Sequence, residues 1–179
     1  ISMAKIAMQI GKDHHQEFLR RFGQMETLRT ELPETATPML PRKWGDITTA
    51  TASFGHGIAV TPLQASMGVA ALVNGGTLIR PTFIKGDPVE TRKLASRLVS
   101  PNASEAMRFL LFLNAEQGSA RNARIIGYRI GGKTGTAEKV VGGRYSKTLN
   151  ITSFMGVVPV EEPRFLILTL LDEPKGLPE

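Results

Sequence analysis

Lys133-Thr134-Gly135-Thr136 puts an ammonium, two hydroxyls and a residue without a side chain into four consecutive positions. On an extended strand successive side chains alternate between faces. Thr134 and Thr136 therefore share one face, where two hydroxyls can meet a carboxylate, and Lys133 takes the other, with its ammonium beneath the strand. Gly135 lets a ligand backbone come close enough to add itself to the sheet edge. Two other spellings invite a nucleophile reading. Ser2-Met3-Ala4-Lys5 sets a hydroxyl three residues from an amine, a helical spacing that permits contact. Ser100-Pro101-Asn102 is accounted for more simply as a helix N-cap followed by a first-turn proline. His14 and His15 are adjacent and cannot face the same way on a helix; with no cysteine and no third ligand they make no zinc site. His56 reads as a satisfied polar residue, and Arg121 with Arg124 as a solvated face.

The elements that must hold this strand are legible in outline. Ile1 to Gly11 reads as a helix with Ile1, Ala4 and Met8 on one stripe, ended by Gly11. A second helix runs through Phe18, Leu19 and Phe22 to Gly23. Three prolines in the nine residues from Pro33 demand extended or looped backbone. Thr61-Pro62 opens a helix that is apolar nearly all round up to Val73, and so is expected to be buried. Thr77 to Arg80 and Thr82 to Lys85 read as a short strand pair broken at Pro81, and Gly86 to Leu98 as a polar connection. A further helix opens at Ser100-Pro101. Three strand-like runs close the chain, Arg129 to Val140, Asn150 to Pro159 and Arg164 to Asp172, joined by Gly142-Gly143 and by Pro159 to Pro163. Phe165 to Leu171 is apolar without alternation, as expected of a strand covered on both faces. The expectation is an α+β domain, an antiparallel sheet with helices packed on it.

Composition excludes several classes of function. Twenty-two Lys plus Arg against 16 Asp plus Glu leave a formal charge of +6, but the basic residues are scattered and not interleaved with aromatics, which argues against a nucleic-acid partner. The absence of cysteine rules out disulfides, thiolate metal sites and cysteine nucleophiles. No run of about 18 apolar residues is present to span a bilayer. The chain has no initiator Met and reads as a piece of a longer protein.

The flanks of the Lys-Thr-Gly tripeptide carry more information than the tripeptide. It is led in by Gly127-Tyr128-Arg129-Ile130-Gly131-Gly132, followed by Ala137, and preceded by the block Phe54-Gly55-His56-Gly57-Ile58-Ala59-Val60-Thr61-Pro62-Leu63-Gln64. Both blocks, in this order and separation, resemble the transpeptidase domain of class B penicillin-binding proteins, the cell-division branch more than the elongation branch. The resemblance implies a penicillin-binding protein/serine β-lactamase-like fold, of which residues 1–179 would be the C-terminal portion with no second domain. It implies that the strand Lys133, Thr134, Gly135, Thr136 pairs with a D-Ala-D-Ala stem peptide or a β-lactam. Thr134 and Thr136 would bind the terminal carboxylate, Lys133 would meet the serine of a Ser-x-Asn motif, and the Thr136 backbone N–H would supply half of an oxyanion hole. Such an enzyme also needs a Ser-x-x-Lys nucleophile and base. Ser100 lies only 33 residues before Lys133, too close for the family's Ser-x-Asn. Ile1 to Gly11 resembles the helix that follows that motif. The nucleophile and base are therefore expected upstream of Ile1, Ser2 and Lys5 are a decoy, and the chain alone is expected to form no β-lactam adduct. By the same resemblance the whole protein would cross-link septal peptidoglycan at the periplasmic face of the bacterial inner membrane, anchored there by a segment outside this chain. It would use no metal or cofactor and would pair with a membrane glycosyltransferase of the division machinery. An elongation-type transpeptidase, a serine β-lactamase and a non-catalytic wall-peptide sensor share enough of the motif to remain as alternatives.

Overall fold

Glycines end the first two helices. In a computed structural model describing residues 1–87, 96–142 and 144–175, α1 (Ser2–Ile10) stops at Gly11, whose φ of 84° a side chain would oppose. Helix α2 (Lys12–Arg21) runs on to Phe22 and Gly23. A Cβ on Gly23 would stand 2.5 Å from the end of Met67. The chain divides into two units, Ile1–Leu72 with Gly76–Ser100 and Val73–Gly75 with Pro101–Glu179.

In the first unit the organising residue is Gln64, fully buried near the start of α4 (Pro62–Val73). Thr61 and Gln64 form a reciprocal N-terminal cap. The Gln64 N–H donates to the Thr61 hydroxyl at 3.2 Å, and the Thr61 N–H donates to Gln64 Oε1 at 3.3 Å. The Gln64 amide then donates to the carbonyls of Gly23 and Glu26 at 3.0 and 2.7 Å, so the cap also pins the turn after α2. A buried side chain that satisfies this many groups is costly to truncate, about 1–3 kcal/mol for each partner left unpaired. The block from Phe54 to Gln64 is structural in this respect. The expected stripe on α1 is not the one that is buried: the buried residue is Ala7, while Ala4 is half-buried and Ile1 and Met8 stay exposed beside Phe54.

Two local readings are corrected here. A helix not anticipated from the sequence, α3 (Asp46–Ala52), follows Trp44. Its threonines carry no apolar period, but Thr49 is buried and accepts a 3.0 Å bond from the Trp44 indole N–H. The partner of Thr77 is also different from the one expected. β1 (Thr77–Leu78) pairs antiparallel with β2 (Ser96–Arg97), not with Thr82 to Lys85. Instead, the Glu31 carboxylate accepts bonds from the Thr82 hydroxyl and, at 3.1 Å, from the Phe83 N–H. The connection expected over Gly86 to Leu98 lies partly outside the described residues.

The second unit holds α5 (Pro101–Gln117), a 3₁₀ turn at Arg121–Ala123, and the sheet of β3 (Gly131–Val141), β4 (Arg144–Val158) and β5 (Phe165–Asp172). The sheet is antiparallel with β4 in the middle. Ser104, wholly buried near the start of α5, accepts from the Gly75 N–H at 3.0 Å, and Arg108 donates to the Val73 carbonyl at 3.0 Å. Strand β4 begins at Arg144, earlier than the apolar pattern suggested, because the pairs Val141–Arg144 and Val140–Tyr145 continue the hairpin past a register shift after Glu138. β5 is not covered on both faces. Phe165, Ile167 and Leu171 on one face and Leu170 on the other are exposed, since no further layer among the described residues packs on this edge strand.

Candidate functional site

Gly131 and Gly132 bring β3 against its neighbours closely enough to set where the motif lies. A Cβ on Gly131 would stand 2.7 Å from Val160 and 3.0 Å from Leu111 of α5, and one on Gly132 would stand 2.6 Å from the Phe154 ring. β3 then runs in register with β4 through Lys133–Met155, Thr134–Phe154, Gly135–Ser153 and Thr136–Thr152.

Antiparallel pairing decides which main-chain groups of β3 are free. A central strand serves its two neighbours with alternate residues. On β4 the Asn150 carbonyl accepts from the Glu173 N–H at 2.9 Å, so the even-numbered residues of β4 serve β5 and the odd-numbered ones serve β3. Their partners on β3 are Gly131, Lys133, Gly135 and Ala137. The N–H and C=O groups of Gly132, Thr134 and Thr136 consequently face the outer edge. Two contacts agree with this. The Gly132 carbonyl accepts from Asn114 Nδ2 at 2.7 Å, and the Thr134 carbonyl accepts from Lys133 Nζ at 2.5 Å. Among the described residues no strand pairs with this edge.

The structure thus brings Lys133, Thr134 and Thr136 together on one edge, with one change from the sequence expectation. The Lys133 ammonium is not beneath the strand. Its side chain is exposed and turns to the outer edge, where it donates to the Thr134 carbonyl, an acceptor not used by the sheet. No carboxylate among the described residues lies within ion-pair distance of it. Lys139, six residues on, is held differently: the hydrogen bonds it donates to Glu173 first and Asp172 second raise its pKa above the usual lysine range. Gly135 has a reason internal to the sheet as well, for a Cβ there would stand 2.6 Å from Ser153 Oγ.

Sequence reasoning missed two residues. Asn114, in the last turn of α5, holds the Gly132 carbonyl through its amide, and its Oδ1 accepts the Ser119 N–H at 3.2 Å. The Ser119 hydroxyl in turn accepts from the Thr134 hydroxyl at 2.8 Å. Nothing local marked them, although an Asn at a helix end followed by Gly118 is itself a capping signal.

The other candidates stand apart from this cluster. Ser2 and Lys5 are exposed, and no hydrogen bond joins them. Pro101 and Asn102 are simply the first residues of α5. His15 packs edge-on to Trp44 at 6.1 Å, and burial lowers its pKa. Arg124 reaches Glu116 at 3.4 Å. No helix among the described residues is long and apolar enough to cross a membrane.

Comparison with known proteins agrees on one family. The family described as penicillin binding protein transpeptidase domain matches residues 1–178. The probable peptidoglycan D,D-transpeptidase FtsI of Caulobacter vibrioides is 36% identical over 98% of the chain, and stage V sporulation protein D of Bacillus subtilis is 34% identical over 96%. The chain spans only 31% and 28% of those relatives. Among solved structures, the apo transpeptidase domain of penicillin-binding protein 3 from Burkholderia pseudomallei superposes with a TM-score of 0.88 at 31% identity, covering 96% of this chain and 53% of that one. An aztreonam complex of the mycobacterial penicillin-binding protein 3 gives 0.84 at 25% identity, with 96% and 42% covered.

Proposed function

The chain belongs to the penicillin-binding protein transpeptidase family, and from that premise we propose that the full-length protein is a serine-type peptidoglycan D,D-transpeptidase in which β3 is the receiving strand. The observation that carries this reading is the open outer edge of β3, with Thr134 and Thr136 both presenting main-chain groups to it and Lys133 reaching round to it. An extended peptide ending in D-Ala-D-Ala would lie along that edge as an added strand. Its terminal carboxylate would be met by the hydroxyls of Thr134 and Thr136 and by the Lys133 ammonium.

The chemistry proposed for the family would use that placement. A serine hydroxyl gives its proton to a lysine base and attacks the carbonyl between the two D-alanines. The carbonyl oxygen takes up negative charge, which the Thr136 N–H stabilises. The C–N bond breaks, the terminal D-Ala leaves with a proton, and an amine of a neighbouring stem peptide then displaces the serine from the acyl-enzyme. A β-lactam would acylate the same serine, and one structural relative is a complex with aztreonam. In this reading the serine and its base are not Ser2 and Lys5, whose exposed side chains are not joined by a hydrogen bond. The FtsI and sporulation relatives favour a septal role; action at the periplasmic face of the inner membrane, beside a glycosyltransferase, is proposed with it from the family resemblance alone.

The carboxylate contact is tested by comparing a penicillin with its methyl ester on the full-length protein. Thr134→Val and Thr136→Val keep β-branched residues suited to a strand while deleting the hydroxyl. Each is expected to lower the preference for acid over ester about tenfold, the worth of one hydrogen bond to a charged group. Unchanged discrimination in both variants would mean that these threonines do not hold the carboxylate.

A further inference from the structure

We propose that Asn114 and Ser119 are positioning residues that fix the register in which an extended ligand adds to β3. The proposal rests on the reading of β3 as the receiving strand.

An added strand has few ways to be wrong. Slipping by one residue would turn its side chains to the opposite face, so the competing arrangement is a slip by two, pairing with Gly132 and Thr134 instead of Thr134 and Thr136. Gly132 invites that slip, since it has no side chain and its carbonyl faces the outer edge. Asn114 closes the position. Its amide occupies the Gly132 carbonyl at 2.7 Å from a packed helix end, whereas the Thr134 carbonyl carries only the exposed Lys133 ammonium, which a ligand can displace. The orientation of that amide is determined by its neighbours. Oδ1 accepts the Ser119 N–H at 3.2 Å, and the reverse orientation would set NH₂ against N–H and oxygen against the Gly132 oxygen.

The same side chain reaches the second element of the site. Ser119, held by Asn114, accepts from the Thr134 hydroxyl at 2.8 Å, which fixes the threonine's rotamer; with a carboxylate bound, the Ser119 hydroxyl would turn to donate to Thr134 and free the Thr134 proton for the ligand. Ser119 Oγ also lies 3.5 Å from Asn114 Oδ1, so its own proton has an acceptor. One asparagine at the end of α5 thereby blocks the wrong register and orients a hydroxyl for the right one. All of these groups lie in the second unit.

A register function has a kinetic signature that a structural role lacks. If slipped complexes form, they bind without reacting, and kcat and KM fall by the same factor while kcat/KM is preserved. The experiment uses the full-length protein and a D-alanyl thioester carrying a terminal carboxylate. Asn114→Ala is expected to lower kcat and KM together, roughly fivefold, as expected for one hydrogen bond. Ser119→Ala is expected to lower kcat roughly fivefold with an unchanged thermal midpoint, and Ser119→Thr, which restores a hydroxyl, to recover it. Wild-type kcat and KM in both alanine variants would overturn the proposal, as would a loss of kcat/KM that merely follows a lowered midpoint. Should Asn114→Ala fail to fold, Ser119→Ala decides alone: kcat falling at unchanged midpoint supports the proposal, and an unchanged kcat ends it. Lys133→Ala is the control for the underlying reading. If it slows the enzyme and these variants do not, only the register claim fails; if none slows the enzyme, β3 is not the receiving strand and the proposal falls with it.

Discussion

Thr136→Pro in the full-length protein is expected to slow acylation by a penicillin about 10²–10³-fold, the usual cost of losing one oxyanion donor. The substitution is informative because of which way the N–H points. Proline in a sheet normally breaks a ladder bond, but at an edge position whose N–H faces outward there is no ladder bond to lose. Thr136 occupies such a position, four residues along from Gly132, whose carbonyl is taken by Asn114 and not by β4. The thermal midpoint should therefore move by only a few degrees. Thr136→Ala keeps the N–H while deleting the hydroxyl, and separates the two contributions: it should retain most of the acylation rate and lose carboxylate discrimination. If the proline variant is acylated as fast as the alanine variant, the Thr136 N–H is not an oxyanion donor.

Lys133→Ala is expected to reduce the same rate about a hundredfold, as an ammonium placed where negative charge gathers would, and to leave the midpoint nearly unchanged. The side chain is exposed, forms no ion pair among the described residues and donates to the Thr134 carbonyl, so folding owes it little. Lys139→Ala provides the contrast, since that lysine spends its charge on Asp172 and Glu173 and should leave acylation unaltered. A wild-type rate in Lys133→Ala would remove the lysine from the site.

Much of this was legible in the sequence because it is carried by local signals. Glycines at 11 and 23 ended helices, Thr61-Pro62 and Ser100-Pro101 opened them, and the last three strands lie in the expected order. What was not legible depends on partners distant in sequence. α3 has no apolar period, and it forms around a buried threonine bonded to an indole. The partner of β1 is Ser96–Arg97, and the residues spelled like a strand at Thr82 are instead held by Glu31, 51 residues away. The apolar β5 read as covered on both faces, but burial is a property of the neighbours a strand finds and not of its composition. At the site alternation put Thr134 and Thr136 on a common face, but it missed that the Lys133 ammonium turns to the outer edge. The direction of the main-chain groups could not be read, because it depends on which residues of β4 serve β5. Asn114 and Ser119 were missed for the same reason, being 18 and 15 residues from the groups they hold.

The most direct test is the structure of the full-length protein acylated by a penicillin. The expected adduct lies along the outer edge of β3, with the former lactam oxygen about 3 Å from the Thr136 nitrogen, the carboxylate in hydrogen-bond reach of the Thr134 and Thr136 hydroxyls, and Asn114 still on the Gly132 carbonyl. An adduct whose acyl oxygen and carboxylate both bind away from this edge would contradict the assignment of β3 as the receiving strand.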